Sequence, residues 1–340
     1  MASPTPRHLE TAEPERRLDI VDPPLVSVVI PAYNAEAFIA TAIESVVKQT
    51  YWNVEVIVVD DGSTDGTAGL VRAMDDPRLR LISGPNEGLP SARNKGVASS
   101  HGALIGFLDS DDYWLPRKLE AQVALLLERP EVVAVGSLVR QESISGRILG
   151  VVGQHVGRRH LRAARRGALL PFPLSSMVAR KQTLDDVGWF DTSLPTAADL
   201  ELAARLARAG SLACVMEPLG AYRLHNGSMI SQQFPMHRAE IRFIQARIEA
   251  RDRGGDLGWD EFLAAYRPTF RQRWLDQIMR WHRLAGVQLA EGNWAVGVSY
   301  GLLALLLGPR YTISRLALKQ LRRYQRSRSP RSDGHFLPPG

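Results

Sequence analysis

Four short apolar runs, each ending in polar residues and separated by amphipathic stretches, constrain the fold of this 340-residue chain most. They are Val26-Ser-Val-Val-Ile30, Val54-Glu-Val-Ile-Val-Val-Asp60, Arg78-Leu-Arg-Leu-Ile82 and Ala103-Leu-Ile-Gly-Phe-Leu-Asp109. Mostly apolar runs of this length read as strands buried on both faces, the signature of a parallel sheet. The stretches 35–48, 67–74 and 90–99 carry helical patterns. Strand and helix in alternation give βαβ units, so the expected fold class is α/β, with a mostly parallel central sheet flanked by helices.

Open sheets of this kind bind ligands beyond the carboxyl ends of their strands. Those ends are polar here: Pro31-Ala-Tyr-Asn34, Asp60-Asp-Gly-Ser-Thr-Asp65 and Asp109-Ser-Asp-Asp112. Asp109 and Asp111 form an Asp-x-Asp pair, whose carboxylates on one face suit a hard divalent cation with oxygen ligands. Turn formation or helix capping accounts equally well for any one of these aspartates taken alone.

Taken together, Val26-Ser-Val-Val-Ile-Pro-Ala-Tyr-Asn34, Val58-Val-Asp-Asp-Gly-Ser-Thr-Asp65, Asn86-Glu-Gly-Leu-Pro-Ser-Ala-Arg-Asn94 and Phe107-Leu-Asp-Ser-Asp-Asp112 resemble the family-2 glycosyltransferases of bacterial surface-glycan type. The resemblance covers about residues 25–231 and implies a GT-A-type nucleotide-sugar-binding fold with inversion at the anomeric carbon. It implies that Pro31, Ala32 and Tyr33 line the base pocket, that Asp60 or Asp61 contacts the base, and that Arg93 lies near the diphosphate. Asp109 would contact the ribose or a metal-bound water, and Asp111 would bind Mn2+ or Mg2+.

An inverting transfer also needs a base for the acceptor hydroxyl. The resemblance places the family's catalytic aspartate at Asp199, within Ala198-Asp-Leu-Glu-Leu-Ala-Ala-Arg205. Ala198 stands where the family often has Glu, and Leu200 where an aromatic is common, so the acceptor environment departs from the pattern. The segment from Tyr222 to Ser228 resembles a late Arg-x-His element and marks His225 as a metal or diphosphate ligand. Ser175-Ser-Met177 falls where the family has a loop near the acceptor. Gln277-Ile-Met-Arg-Trp281 spells the pattern of processive synthases, but far downstream and without membrane spans beside it, so it reads as a chance match.

The expected organisation is a tail over 1–24, a catalytic domain over 25–231, a helical appendage over 232–328 and a tail over 329–340. Residues 25–115 would form the nucleotide-binding half of the catalytic domain and 116–231 its acceptor half. The first 24 residues hold five prolines and few large apolar groups, too little to offset ordering entropy. A single cysteine, Cys214, and the lack of a charged segment followed by an apolar one at the start point to a reducing, cytoplasmic location. In the appendage, 281–323 reads as a helical hairpin whose apolar side packs on the catalytic domain. Its apolar stretch 294–308 falls short of the ~20 residues needed to cross a bilayer.

Net charge is +6, and residues 310–331 hold seven arginines, one lysine and no acid. That local tail would suit peripheral contact with anionic lipid at the inner face of the membrane, not nucleic acid. The expected function is non-processive sugar transfer from a nucleotide diphosphate-sugar, a UDP-sugar by preference, to a saccharide or lipid-linked acceptor in surface polysaccharide or glycolipid assembly. A non-catalytic nucleotide-sugar-binding module, suggested by Ala198, is the alternative. A nucleotidyltransferase is a more distant one, since no glycine-rich, lysine-bearing loop follows Val29.

Overall fold

The computed structural model describes residues 22–225, 233–309 and 312. Most of the expected tail over 1–24, the tail over 329–340 and, except for Thr312, the basic segment 310–331 lie outside the described residues. Among the described residues the chain forms one nine-stranded sheet with helices packed against it.

Strands β1 (Val26–Ala32), β2 (Val54–Asp60), β3 (Leu79–Ser83) and β4 (Leu104–Phe107) follow the four apolar runs closely. Every residue of β1 and β4 is buried. They alternate with α1 (Ile39–Val47), α2 (Thr67–Arg72) and α3 (Leu89–Ala98). The remaining strands are β5 (Tyr113–Trp114), β6 (Val132–Ser143), β7 (Ile148–Val152), β8 (Val178–Arg180) and β9 (Ser211–Leu224). Between them lie α4 (Lys118–Glu128), α5 (Arg158–Arg165), a 3₁₀ turn (Leu174–Ser176), α6 (Lys181–Val187) and α7 (Ala198–Ala209). The chain continues as α8 (Phe234–Asp252), α9 (Trp259–Ala265), α10 (Phe270–Ala290) and α11 (Trp294–Leu307).

Strand order is β3-β2-β1-β4-β8-β6-β9-β5, with β7 beside β6. The first four strands are parallel, as the apolar runs imply, and β8 joins them antiparallel. Beyond β8 the sheet is mixed: β6 and β9 are parallel, whereas β8–β6, β6–β7 and β9–β5 are antiparallel. Register carries the consequence for function. Ala32 at the end of β1 pairs with Asp60 at the end of β2, and Leu108 N–H donates to Val29 O, so the chain leaves β4 beside the same edge.

Close approach of α3 to β1 requires Gly96. A Cβ there would lie 2.3 Å from Val29 Cγ1, and Val29 is fully buried in the core. An added methyl would gain up to about 1 kcal/mol of helix propensity. Overpacking a filled core costs about 1–3 kcal/mol.

The late hairpin departs from expectation. Helices α10 and α11 pack on each other through small residues: a Cβ on Gly297 would lie 2.6 Å from Leu289 Cγ, and one on Gly308 would lie 2.4 Å from Ile278 Cδ1. Trp281 and Tyr300 meet with ring centroids 5.2 Å apart. With glycines and Ala304 turned inward, the large apolar groups of α11 face outward rather than onto the catalytic domain; Leu302 is 53% and Leu306 78% exposed. Among the described residues no helix is long and apolar enough to cross a membrane.

The clash at Gly96 yields a test of the packing. Gly96→Ala is expected to lower stability by about 1–2 kcal/mol net, because the clash outweighs the propensity gain. Urea unfolding read by tryptophan fluorescence checks it, and a stabilised variant would contradict the close α3–β1 contact.

Candidate active site

The polar strand ends are knitted together by their own side chains. Asn34, at φ 50°, accepts the Thr64 N–H with Oδ1 at 2.8 Å and donates its own N–H to Ser63 Oγ at 3.0 Å. Ala35 N–H donates to Thr67 Oγ1 and Glu36 N–H to Asp65 Oδ2, while the Gly66 N–H returns to Glu36 Oε2. Gly62 is required at this crossing: its φ is +78°, and a Cβ would lie 2.8 Å from Asn86 N.

Asp60 and Asp61 then separate. Neighbouring residues at a strand end point in different directions, and only Asp61 lines the large cavity at this edge. The Asp60 carboxylate accepts the Ser63 N–H at 3.1 Å. The Asp61 carboxylate clasps the start of α3, accepting Glu87 N–H at 2.9 Å and Gly88 N–H at 2.8 Å.

The cavity holds about 1030 Å³. It is lined by Pro31, Ala32, Tyr33, Asp61, Arg93, Asp109, Asp111, Asp199 and His225. Every candidate read from the sequence thus meets in one cleft except Asp60.

Arg93, from α3, is nearly buried and pairs with Asp109 at 2.6 Å, while its guanidinium lies 5.4 Å from the centroid of the Phe190 ring. Burial pushes the Asp109 carboxyl up, against the pull of Arg93. Asp109 N–H donates to Ser175 Oγ, and the Trp114 indole donates to Ser175 O. Ser175, from the loop that the resemblance sets near the acceptor, is therefore a wall of the cleft. Its neighbour Ser176 accepts with its carbonyl from the buried Lys118 and from Gln122, which holds the turn against α4.

Asp111 Oδ2 lies 2.8 Å from His225 Nε2. The His225 ring packs 5.5 Å from that of Phe38, and Arg223 donates to Asp111 O while stacking on Tyr113. Asp112 points away and is buried, its carboxyl pushed well above the usual range by burial and then by Asp111 and Asp109. It accepts the Arg223 N–H at 3.0 Å and so ties β9 to the Asp-x-Asp turn.

Asp199 sits in the first turn of α7, whose position is over-determined. Arg205 holds Glu201 and the carbonyls of Val187, Gly188 and Trp189, pinning the preceding loop to the helix. Asn94, next to Arg93, pairs both ways with the Phe190 backbone at 2.9 Å and ties that loop to α3. The N-terminus of α7 lacks a capping side chain of its own. Buried Glu240 of α8 substitutes, accepting Thr196 N–H at 3.0 Å and Ala197 N–H at 2.7 Å.

His237 of the same helix contacts Thr196 O at 3.1 Å, and burial lowers its pKa although Asp199 opposes the shift. Tyr222, a lining residue, is hydrogen-bonded by Arg283 of α10, and burial pushes its hydroxyl up to about 12. Sequence reasoning missed Asn94, Glu240, His237 and Arg283. Asn94 alone carried a signal, as the last residue of the Asn86–Asn94 motif.

Residues 27–188 match the family described as Glycosyl transferase family 2. An uncharacterised glycosyltransferase of Haemophilus influenzae is 32% identical over 224 residues, covering 61% of this chain and 68% of that protein. The chain belongs to glycosyl transferase family 2. The Escherichia coli UDP-Glc:alpha-D-GlcNAc-diphosphoundecaprenol beta-1,3-glucosyltransferase WfgD is 39% identical over 132 residues, 38% of this chain but only 52% of WfgD.

Among solved structures, S. aureus TarS 1-349 in complex with UDP-GlcNAc matches with a TM-score of 0.53 and 20% identity, over 78% of this chain and 83% of that one. Mannosyltransferase PcManGT of Pyrobaculum calidifontis, in complex with GDP-Man and Mn2+, matches with a TM-score of 0.50 and 20% identity, over 90% and 84%. These likenesses agree with a GT-A-type fold.

The cap supplied by Glu240 has a measurable consequence. Glu240→Ala would strand two buried N–H groups and is expected to cost about 2–4 kcal/mol, whereas Glu240→Gln keeps an accepting oxygen and should cost less. Burial raises the Glu240 pKa, so between its ordinary and raised values the folded state holds a proton that the unfolded state has lost. Stability therefore falls as pH rises through that window, and Glu240→Gln should flatten this slope. Denaturant midpoints of the three proteins across acidic pH check both points; an unchanged slope in the glutamine variant would refute the assignment.

Proposed function

We propose that the chain is an inverting, metal-dependent, non-processive transferase acting on a UDP-sugar. The acceptor is a saccharide or lipid-linked glycan in surface polysaccharide or glycolipid assembly, met at the cytoplasmic face of the cell membrane. The observation that carries this reading is the shared cleft: Asp61, Arg93, Asp109, Asp111 and His225 line it together with Asp199 from α7. The donor and acceptor that WfgD's name prints support the choice of uridine and of a diphosphate-lipid carrier.

The donor set fits a hard cation. Asp111 and His225 present one carboxylate and one imidazole side by side, and among the described residues no group of three or more such side chains forms a closed cage. Mg2+ is ordinarily held by one or two carboxylates together with water and substrate phosphates, the part Asp111 can play here, with the His225 imidazole beside it as a softer nitrogen donor. When bound, such a cation offsets charge that builds on the leaving diphosphate. Asp109, held by Arg93, would face the ribose or a metal-bound water. Pro31, Ala32, Tyr33 and Asp61 would receive the base.

Asp199 takes the proton from the acceptor hydroxyl as its oxygen forms a bond to the anomeric carbon. The bond from that carbon to the diphosphate oxygen breaks on the opposite side, which inverts the centre. One carboxylate suffices, since no covalent glycosyl-enzyme forms. Ala198 removes one carboxylate beside the base, and Glu240 and His237 approach the same helix end from α8.

A thermal-shift screen of nucleotide diphosphates and nucleotide sugars with and without manganese is expected to give a metal-dependent rise with uridine nucleotides. No shift with any nucleotide would sink the donor assignment. Asp111→Ala should abolish the metal-dependent part of binding, whereas Asp199→Asn should leave binding nearly intact and cut turnover by roughly 100-fold or more. Equal loss of binding in both variants would overturn the division of roles.

A further inference from the structure

Helix α11 is built inside out for a surface helix. Its sequence, Trp294–Leu307, contains no charged residue, and its small residues face α10. Trp294, Val296, Val298, Leu302, Leu305 and Leu306 are all more than a third exposed. A helix facing water would carry charge on that side, and contiguous apolar surface of this kind marks an interaction site.

Neighbouring features choose the occupant. Arg147 lies over the Trp294 ring at 5.6 Å, which brings the β6–β7 turn, with Ile144 and Ile148 more than half exposed, up to the amino end of α11. The sequence that directly follows the helix, residues 310–331, carries eight basic groups and no acid. Apolar side chains flanked by tryptophan and by arginine and lysine match the chemistry of an anionic lipid interface. A second copy of the chain would bring the same positive charge against itself.

The position also suits the chemistry of the cleft. Helix α10 lies between the apolar face and the cleft, and its Arg283 bonds Tyr222, which lines the cavity. One helix layer, about 10 Å, therefore separates the exposed leucines from the acceptor side of the pocket.

We propose that the outer face of α11, together with the β6–β7 turn, seats the enzyme on an anionic membrane with the cleft presented to an acceptor anchored there. This rests on the lipid-linked reading of the acceptor and names the surface that meets the lipid.

The test is co-sedimentation of the full chain with vesicles of phosphatidylglycerol in phosphatidylcholine and of phosphatidylcholine alone, with the uridine-nucleotide thermal shift measured on the same samples. Binding is expected to the anionic vesicles, weakened at about 0.5 M salt, where charge is screened over a few ångströms. Leu302→Glu with Leu306→Glu should reduce it at least tenfold, because the apolar contact of both leucines with lipid is lost. Leu302→Met with Leu306→Met should retain it. Both pairs should keep the nucleotide shift, because the residues are exposed and glutamate and methionine are good helix formers.

Wild-type protein that stays in the supernatant with both vesicles while still binding nucleotide overturns the surface and leaves the glycosyltransferase reading intact. A wild-type dimer in analytical ultracentrifugation that the glutamate pair dissociates, without vesicle binding, also overturns it and assigns the face to a second copy. Vesicle binding lost in the glutamate pair, even without any nucleotide shift, upholds the surface and counts against the donor assignment alone.

Discussion

The Asp61 carboxylate, accepting the N–H groups of Glu87 and Gly88, is the contact on which the α3 side of the cleft depends. A carboxylate bridging two backbone donors is a charge-assisted pair of hydrogen bonds with no slack in direction. It fixes where α3 begins relative to the end of β2, and α3 in turn delivers Arg93 to Asp109 and Asn94 to Phe190. The Asp-x-Asp turn and the loop before α7 are thereby referenced to the same strand end. Loss of this clasp would not leave a local defect; it would detach three walls of the cleft from one another.

The α7 side of the cleft is held by a different device. Helix α7 begins without a capping side chain, and its entry loop is gripped by Arg205 while its first free N–H groups are met by Glu240 from α8. A buried carboxylate at a helix N-terminus is favoured by the macrodipole, yet it lies close to Asp199, with which it interacts unfavourably. The arrangement holds the first turn of α7 rigid and crowds negative charge near Asp199, and His237 nearby opposes that crowding only when protonated. Helix α8 is thus part of the scaffold of the cleft even though it follows the segment where the family motifs end.

Legibility in the sequence followed the range of the interactions. Strands β1 to β4 could be read because strands buried on both faces need continuous apolar residues, a local requirement. Their polar ends could be read as a site because ligands gather there in any open sheet. Asp60 and Asp61 could not be ranked, since the choice depends on which way each points at the end of β2, and one step along a strand reverses that. Glu240, His237 and Arg283 act across 40 residues or more on helices whose local patterns look ordinary, so no window of sequence marks them. The hairpin was misjudged for a related reason. Helix α11 is apolar all round, and only the positions of Gly297, Ala304 and Gly308 decide that its bulky side faces outward.

That reversal links the outer helix to the cleft. Small residues inside α11 bring it close to α10, and α10 reaches the cleft through Arg283 and Tyr222. A force applied at the exposed leucines is therefore transmitted through a packed helix pair, not through a flexible linker, to a residue that lines the cavity. Close packing has little give, so the outer face and the cleft keep a fixed relative orientation. An acceptor held at a surface can diffuse only laterally and must meet a cleft of defined height and tilt. A rigid apolar face one helix layer from the pocket provides that height, whereas a basic tail alone would provide attraction without orientation.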